Sequence, residues 1–164
     1  MRIAQNNKLF FVLRNPKFAQ RLTSFSGGPV EPRIFTLKEA NKIIPKIEPI
    51  IDGLIEKKKL MQKQHDELLV LDLLVGEDSK TEDTPEGKEY VEKSAELEAL
   101  VLSFEDEILE INGRGCVLKD IDKGYVDFFT VKDKHLVCFC WHKGEKEVQY
   151  WHAVNDNYQN RKPL

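Results

Sequence analysis

The sequence predicts an α+β domain in which an antiparallel two-helix hairpin packs on a three-stranded antiparallel β-meander. In two long stretches apolar residues recur every seven positions, which is typical of one face of a helix. An acidic, turn-rich segment, residues 76–89, separates the two stretches. Residues 124–152 instead alternate apolar and polar side chains, as β-strands do.

The first predicted helix begins at a capping box, residues 36–39 (TLKE), in which the Thr36 hydroxyl and the Glu39 carboxylate satisfy free backbone N–H groups. Pro45 and Pro49 each remove a backbone donor, so we expect a kink there, or a short segment followed by a longer helix. The seven-residue rows of this helix are Ile47, Leu54, Met61, Leu68 and Val75, with Ile43, Ile50 and Leu71 beside them. This pattern predicts one helix of a coiled-coil-like pair.

The second predicted helix begins at Thr84, an N-cap, followed by Pro85 at the first helical position. Asn112 and Gly113 supply its C-terminal stop. Its seven-residue rows are Tyr90, Leu97, Phe104 and Ile111, with Val101 and Ile108. Together the helices should form a hairpin about 40 Å long.

Polar residues interrupt the seam of the first helix, and a polar seam usually sets the register or faces solvent. The alternative is a ligand role for the single histidine among them. The interrupting residues are Lys57, Lys58, Gln64 and His65.

Even-length loops at residues 132–135 and 143–146 define the two faces of the predicted meander. The apolar face, which should pack on the helices, consists of Val126, Phe128, Thr130, Val137, Phe139, Trp141, Val148 and Tyr150, with His152 at its end. The opposite face carries Tyr125, Asp127, Phe129, Cys138, Cys140, His142, Gln149 and Trp151. A slip of one residue in either hairpin would exchange the faces of a strand.

Charge divides the chain into two parts. Residues 1–35 carry six Lys and Arg against one Glu, a net charge of +5, whereas residues 36–164 carry 19 basic against 27 acidic residues, a net charge of −8. Because an acidic domain repels a phosphate backbone, we expect no nucleic-acid partner, and we interpret Lys57 to Lys59 as a solvated helix face.

The basic N-terminal extension, residues 1–33, should be poorly ordered, and the single α+β domain should span residues 34–164. An organelle transit segment is a less favoured interpretation of the extension, and an upstream start is another. No apolar run approaches the ~20 residues of a membrane span, so we expect no membrane partner. Three cysteines are too few for a disulfide framework, which favours a reducing, cytoplasmic setting.

A metal site formed by Asp127, Cys138, Cys140 and His142 is disfavoured by strand spacing. Residues four apart on a strand lie about 13 Å from each other, whereas zinc holds its ligands within about 2.3 Å. We therefore expect no metal site and no cofactor, with buried thiols. The chain also lacks a phosphate-binding glycine loop, an HExxH motif and a Walker lysine, so we assign no catalytic residue and do not favour an enzyme.

Acidic, basic and aromatic residues near the C-terminus are the candidates for a small ligand-binding pocket. Structural roles are the alternative: loop capping by an acid, a histidine hydrogen-bonded at the edge of the core, and an arginine paired with an acid. The candidates are Asp127, Trp141, Glu145, Trp151, His152 and Arg161.

Short signatures also occur in a fixed order along the domain. They are residues 35–41 (FTLKEAN), 44–45 (IP), 119–120 (KD), 124–128 (GYVDF), 140–141 (CW), 144–145 (GE), 150–152 (YWH) and 161–164 (RKPL). On these signatures, residues 34–164 resemble the prokaryotic domain-of-unknown-function family twenty-two-oh-three. The chain departs from the family pattern in the basic extension, in Phe129, where proline is common, and in His142, where arginine is usual. The resemblance implies a helical hairpin with an antiparallel sheet, a cytoplasmic setting and no assigned activity.

These observations favour a non-enzymatic interaction module, in which the helical hairpin and the sheet offer surface to a second copy, as a homodimer, or to a protein partner. The alternative is a small-molecule-binding protein or enzyme with a pocket built from Asp127, Glu145, Trp151, His152 and Arg161. A division-associated coiled-coil protein is a third hypothesis, which depends only on the seven-residue rows.

Overall fold

The computed structural model describes residues 33–75 and 83–164. Within them, helices α1 and α2 are followed by a five-stranded antiparallel sheet with strand order β1-β2-β3-β4-β5. The elements are α1 (Leu37–Val75), α2 (Pro85–Gly113), β1 (Val117–Asp120), β2 (Tyr125–Lys132), β3 (His135–His142), β4 (Tyr150–Ala153) and β5 (Lys162–Pro163), with a 3-10 turn at Tyr158–Asn160. Residues 1–32 of the predicted extension and residues 76–82, the first half of the acidic segment, lie outside the described residues.

The α+β class is confirmed, but the three-stranded meander is wrong because the sheet has five strands. The two additional strands flank the predicted ones. β1 has four residues and β5 has two, too few for an alternating pattern to be recognised in the sequence. β5 also contains Pro163, a residue that sheets tolerate mainly at an edge.

Helix α1 runs without interruption for 39 residues, across the predicted kink at Pro45 and Pro49. Both proline side chains are exposed, so water can reach the carbonyl groups that lose their helical donors. The capping box forms as predicted: the Thr36 N–H donates to Glu39 Oε2 at 2.8 Å, and the Glu39 N–H donates to Thr36 Oγ1 at 3.3 Å.

Helix α2 is shorter, with 29 residues, so the two helices are about 58 and 44 Å long instead of similar in length. Its predicted start is confirmed, because Thr84 Oγ1 accepts the Gly87 N–H at 3.0 Å and Pro85 occupies the first turn. Its predicted stop is also confirmed by the last helical residue, Gly113. Neither described helix combines the length and the apolar character needed to cross a membrane.

Polar seam residues of α1 contact both α2 and the turn between β1 and β2. Lys57 Nζ donates to Ser103 Oγ at 2.7 Å and to Glu107 Oε1 at 2.6 Å, both on α2. Lys58 Nζ donates to the carboxylate of Asp122, between β1 and β2, at 2.6 Å. These contacts favour the interpretation that the polar seam sets the register of the hairpin.

The first half of α1 packs on one face of the sheet and forms the core with it. Four residues predicted to face the helices lie in this core: Val126, Phe128, Trp141 and Val148. Two hydrogen bonds connect the start of the domain to the sheet. The Phe35 N–H donates to the Phe129 carbonyl at 2.7 Å, and the Val148 N–H donates to Asn41 Oδ1 at 2.8 Å.

The predicted register between β2 and β3 is confirmed, with Lys132 opposite His135 around a two-residue turn. Both central residues of this turn, Asp133 and Lys134, have positive φ angles, of 50° and 66°. This backbone matches the primed turns whose twist suits a β-hairpin.

The predicted register between β3 and β4 is wrong by one residue. Cys140 lies opposite Tyr150 and Cys138 lies opposite His152. Tyr150 and His152 therefore lie on the face predicted for Asp127, while Trp151, opposite Phe139, lies on the helix-facing side. The shift arises because the connection spans residues 143–149 and leaves the strand ladder, with the N–H of Val148 bound to Asn41 instead of β3.

Candidate functional site

Three neighbouring strands bring an acid, a thiol and an imidazole together on the face of the sheet away from the helices. Asp127 on β2 lies opposite Cys140 on β3, and the shifted register places His152 of β4 on the same face. Each of the three residues is at most 1% exposed. One possible ligand atom from each lies within 4.8 Å of the others, and we call these residues the buried triad.

His152 contacts an acceptor through each ring nitrogen. Its Nε2 lies 3.1 Å from Asp127 Oδ1, and its Nδ1 lies 2.9 Å from the carbonyl oxygen of Ala153. A neutral imidazole has a single N–H and can satisfy only one of these contacts, whereas the imidazolium satisfies both. A neutral ring therefore donates to one of these two acceptors and directs its lone pair at the other.

The second carboxylate oxygen, Asp127 Oδ2, is buried and has no hydrogen-bond partner among the described residues. Lys119 Nζ lies 3.8 Å from it, and the Lys119 side chain is 41% exposed, so this cation approaches from the solvent side. The carboxylate thus keeps an acceptor oxygen available within the buried triad.

Burial, the negative charge of Asp127 and a hydrogen bond to its carboxylate raise the pKa of the Cys140 thiol to about 12. Burial and the same charge raise the pKa of Cys138 to about 12. Both shifts favour the neutral thiol, whereas an activated cysteine nucleophile has a lowered pKa.

The C-terminal segment lies beside the buried triad. Arg161 Nη2 lies 2.8 Å from Glu145 Oε1, and the guanidinium is 4.1 Å from the centre of the Tyr150 ring. Tyr158 stacks on Tyr125, with ring centres 4.1 Å apart. Tyr125 and Tyr150 lie on the face of the triad, so these aromatic rings and the Arg161 guanidinium border it on that face.

The six predicted site residues do not form one pocket. Asp127 pairs with His152, and Glu145 pairs with Arg161. Glu145 Oε2 also accepts the His142 N–H at 2.9 Å, which is the loop-capping role predicted as the structural alternative.

The two predicted tryptophans belong to other environments. Trp141 is buried in the helix-facing core, and its Nε1 donates to the Glu145 carbonyl at 2.8 Å. Trp151 also lies on the helix-facing side of the sheet, and its Nε1 donates to the Pro163 carbonyl at 3.2 Å. Neither indole lies on the face that carries the buried triad.

Sequence reasoning missed several residues of this region. The sequence predicts His142 on the same face as Asp127 and Cys140, but its ring contacts that of Tyr125, with centres 4.6 Å apart, and it is outside the triad. The alternating pattern did place Asp127 and Cys140 on one face, whereas no sequence signal indicated the shift that brings His152 to them. The additional bordering residues that were missed are Lys119, Tyr125, Tyr150 and Tyr158.

A separate open pocket of about 260 Å³ lies between the start of α1 and the end of α2. It is mainly basic and contains none of the predicted site residues. Its lining residues are Arg33, Glu39, Lys42, Ile43, Lys46 and Arg114.

The far end of α1 exposes four large apolar side chains, which we call the hairpin patch. Leu69, Val70, Leu73 and Leu74 are 45%, 58%, 85% and 73% exposed. At about 100° per residue they cover roughly 140° of the helix circumference, on the side away from the row of Met61 that faces α2. Helix α2 therefore cannot cover this patch.

A family model described as "Uncharacterized conserved protein (DUF2203)" matches residues 33–164. No curated protein and no solved structure matches the chain.

Proposed function

The chain belongs to the family of uncharacterized conserved proteins (DUF2203), and from that starting point we propose that it is a non-enzymatic interaction module that self-associates through the hairpin patch. The exposure of Leu73 and Leu74, at 85% and 73%, is the observation that carries the proposal. A contiguous apolar surface at the end of a helix favours burial against another chain.

The sequence around the patch supports this proposal. Residues 68–75 (LLVLDLLV) contain seven apolar residues and one aspartate, so this part of α1 is apolar on nearly every side. A helix of that kind is normally buried all round. Because α2 covers one side only, a second element is needed to remove the remaining leucines from water.

Charge and position favour a second copy of the chain as that element. Residues 36–164 carry a net charge of −8, which opposes the approach of two copies. Most of this charge lies on α2, which has nine acidic and two basic residues, whereas α1, which carries the patch, has seven of each. Lys63 and Asp66, two exposed described residues on the same side of α1 as the patch, have opposite signs.

A two-fold, antiparallel crossing of two α1 helices brings the hairpin patch of one copy against the hairpin patch of the other. Contact between identical surfaces is the isologous arrangement of most homodimers. Four side chains bury only a few hundred Å² per copy, less than the ~800 Å² of a standard interface. We therefore expect a weak, reversible dimer whose population rises with concentration.

The test is sedimentation equilibrium of the full chain over a wide concentration range. The wild type should show reversible dimerisation, and Leu73→Ser/Leu74→Ser should remain monomeric with unchanged circular dichroism. The matched control is Val131→Ser/Leu136→Ser, which removes two other exposed apolar side chains, 55% and 42% exposed, and should dimerise like the wild type. A wild type that is monomeric at every concentration, or a patch variant that still dimerises, contradicts the proposal.

The alternative small-molecule pocket is less favoured. Asp127 and His152 pair with each other, Glu145 pairs with Arg161, and Trp151 lies on the opposite side of the sheet. A ligand would have to displace these contacts before binding.

A further inference from the structure

We propose that the buried triad of Asp127, Cys140 and His152 binds a divalent transition-metal ion, with Zn²⁺ as the best match. The triad offers one carboxylate oxygen, one thiol sulfur and one imidazole nitrogen. Zinc takes all three ligand types, whereas Mg²⁺ and Ca²⁺ prefer oxygen alone. This proposal concerns the sheet and is independent of the hairpin patch.

The geometry requires little rearrangement. A tetrahedral shell with bonds of about 2.0 to 2.3 Å places its ligand atoms roughly 3.5 Å apart. Asp127 Oδ1 and His152 Nε2 are already 3.1 Å apart, and all three ligand atoms lie within 4.8 Å of one another. Small rotations of the side chains therefore suffice to bring the ligands around one ion.

The hydrogen bonds around His152 are those of a metal-binding histidine. Its Nδ1 is 2.9 Å from the Ala153 carbonyl, which can accept the ring N–H when an ion takes the lone pair of Nε2, the nitrogen that lies 3.1 Å from Asp127. Metal-bound histidines usually donate their second N–H to such a group. A neutral imidazole has one N–H for two acceptors, the Asp127 carboxylate and the Ala153 carbonyl. An ion bound at Nε2 replaces the contact with Asp127 and leaves the N–H for Ala153.

Charge balance favours an ion of charge +2. On binding, the Cys140 thiol loses its proton to solvent, so that one thiolate and one carboxylate neutralise the ion inside a buried site. Three protein ligands leave a fourth position for water or a ligand, as in catalytic zinc sites. Lys119, 3.8 Å from Asp127 Oδ2, competes with the ion for the carboxylate.

Cys138 supplies a matched control. It is buried, two residues from Cys140 on the same strand and face, and opposite His152 in the register. It is nevertheless not part of the triad. Replacing it should perturb the sheet much as replacing Cys140 does, without removing a ligand.

The test is a Co²⁺ titration of the full chain purified in chelator, followed by absorption spectroscopy. Wild type and Cys138→Ser should develop a thiolate-to-cobalt charge-transfer band that equimolar Zn²⁺ abolishes, and Cys140→Ser should lack this band. Lys119→Met should bind Co²⁺ more tightly than the wild type. No band in the folded wild type, or a band that depends on Cys138 and not on Cys140, overturns the proposal.

X-ray absorption at the zinc edge of the loaded wild type gives a second result that does not depend on the folding of any variant. We expect a single sulfur at about 2.3 Å together with nitrogen and oxygen ligands at about 2.0 to 2.2 Å. A shell without sulfur, or with two or more sulfurs, overturns the assignment of the buried triad.

Discussion

Arg161 and Glu145 form an ion pair of 2.8 Å in which neither side chain is more than 19% exposed. The pair joins the segment before β5 to the loop before β4. The same guanidinium lies 4.1 Å from the ring centre of Tyr150, the cross-strand neighbour of Cys140. One arginine therefore positions the C-terminal segment beside the buried triad.

Arg161→Ala should lower the free energy of unfolding by about 1 to 3 kcal/mol, because it leaves the largely buried Glu145 carboxylate without its cationic partner. Arg161→Lys should restore only part of this loss, since an ammonium group cannot reproduce the planar contact with Tyr150. Urea denaturation measures both, with Lys162→Ala, at an exposed neighbour, as the control. Equal midpoints for Arg161→Ala and the control would show that the pair is energetically silent.

His152→Ala should destabilise the metal-free protein by about 3 to 5 kcal/mol, because it leaves the carboxylate of Asp127 buried without its histidine partner. Adding Asp127→Asn to His152→Ala should recover part of the loss, since the charge is then removed. A double-mutant cycle by chemical denaturation, in the presence of chelator, measures the coupling. Additive effects of the two changes would be inconsistent with a coupled pair.

Stability should fall in acid partly through Asp120. Burial opposes ionisation of this carboxyl, but the Lys123 amide and the Tyr158 hydroxyl outweigh it and hold the pKa of Asp120 below its ordinary value of 3.8. Because the folded pKa is the lower one, this contribution is complete above pH 3.8 and is lost as the pH falls through the folded pKa.

Tyr158→Phe removes one of these hydrogen bonds, so its stability deficit relative to the wild type should be present at pH 7 and shrink below pH 3.8. Urea denaturation at a series of pH values checks this difference. If the stability deficit of Tyr158→Phe stays constant down to the lowest pH, the Tyr158 hydrogen bond does not contribute to the lowered pKa of Asp120.

Lys134→Gly should stabilise the protein by about 1 kcal/mol, because the residue has a φ of 66° that costs an L side chain about 1 to 2 kcal/mol. Lys132→Gly, in the adjacent strand, should instead destabilise it by about 0.5 to 1 kcal/mol. Thermal and urea unfolding compare the two variants. A loss of stability in both would contradict the assigned turn.

Gly53→Ala should also stabilise the protein, by about 0.5 to 1 kcal/mol, since Gly53 lies inside α1. The new methyl group would be 3.6 Å from Glu107 Oε2, an ordinary contact. Gly144→Ala is the opposite case, because a φ of +90° makes the substitution strained although space is available. The two changes should shift the unfolding midpoint in opposite directions.

Local contacts made much of this fold predictable from the sequence. The caps at Thr36 and Thr84 each depend on a residue three positions further along the chain, so a short sequence motif includes both partners. The register of β2 and β3 depends on a two-residue turn, so the alternation of side chains can be followed across it. The two helices and the helix-facing side of β2 and β3 could therefore be predicted from the sequence.

The candidate site was not predictable because it depends on a distant contact. Val148 donates to Asn41, 107 residues away, and the chain leaves the ladder before β4. The resulting shift of one residue exchanges the faces of His152 and Trp151. No pattern within residues 143–153 specifies this shift, so the pairing of His152 with Asp127 appears only in the folded protein.

The sequential strand order has a consequence for the folding pathway. Each strand pairs with the next one along the chain, so β-hairpins can close over short loops at low entropic cost. Two contacts instead close long loops, Phe35 with Phe129 and Asn41 with Val148. Because long loops close late, we expect the meander to assemble early and the docking of the start of α1 to limit the folding rate.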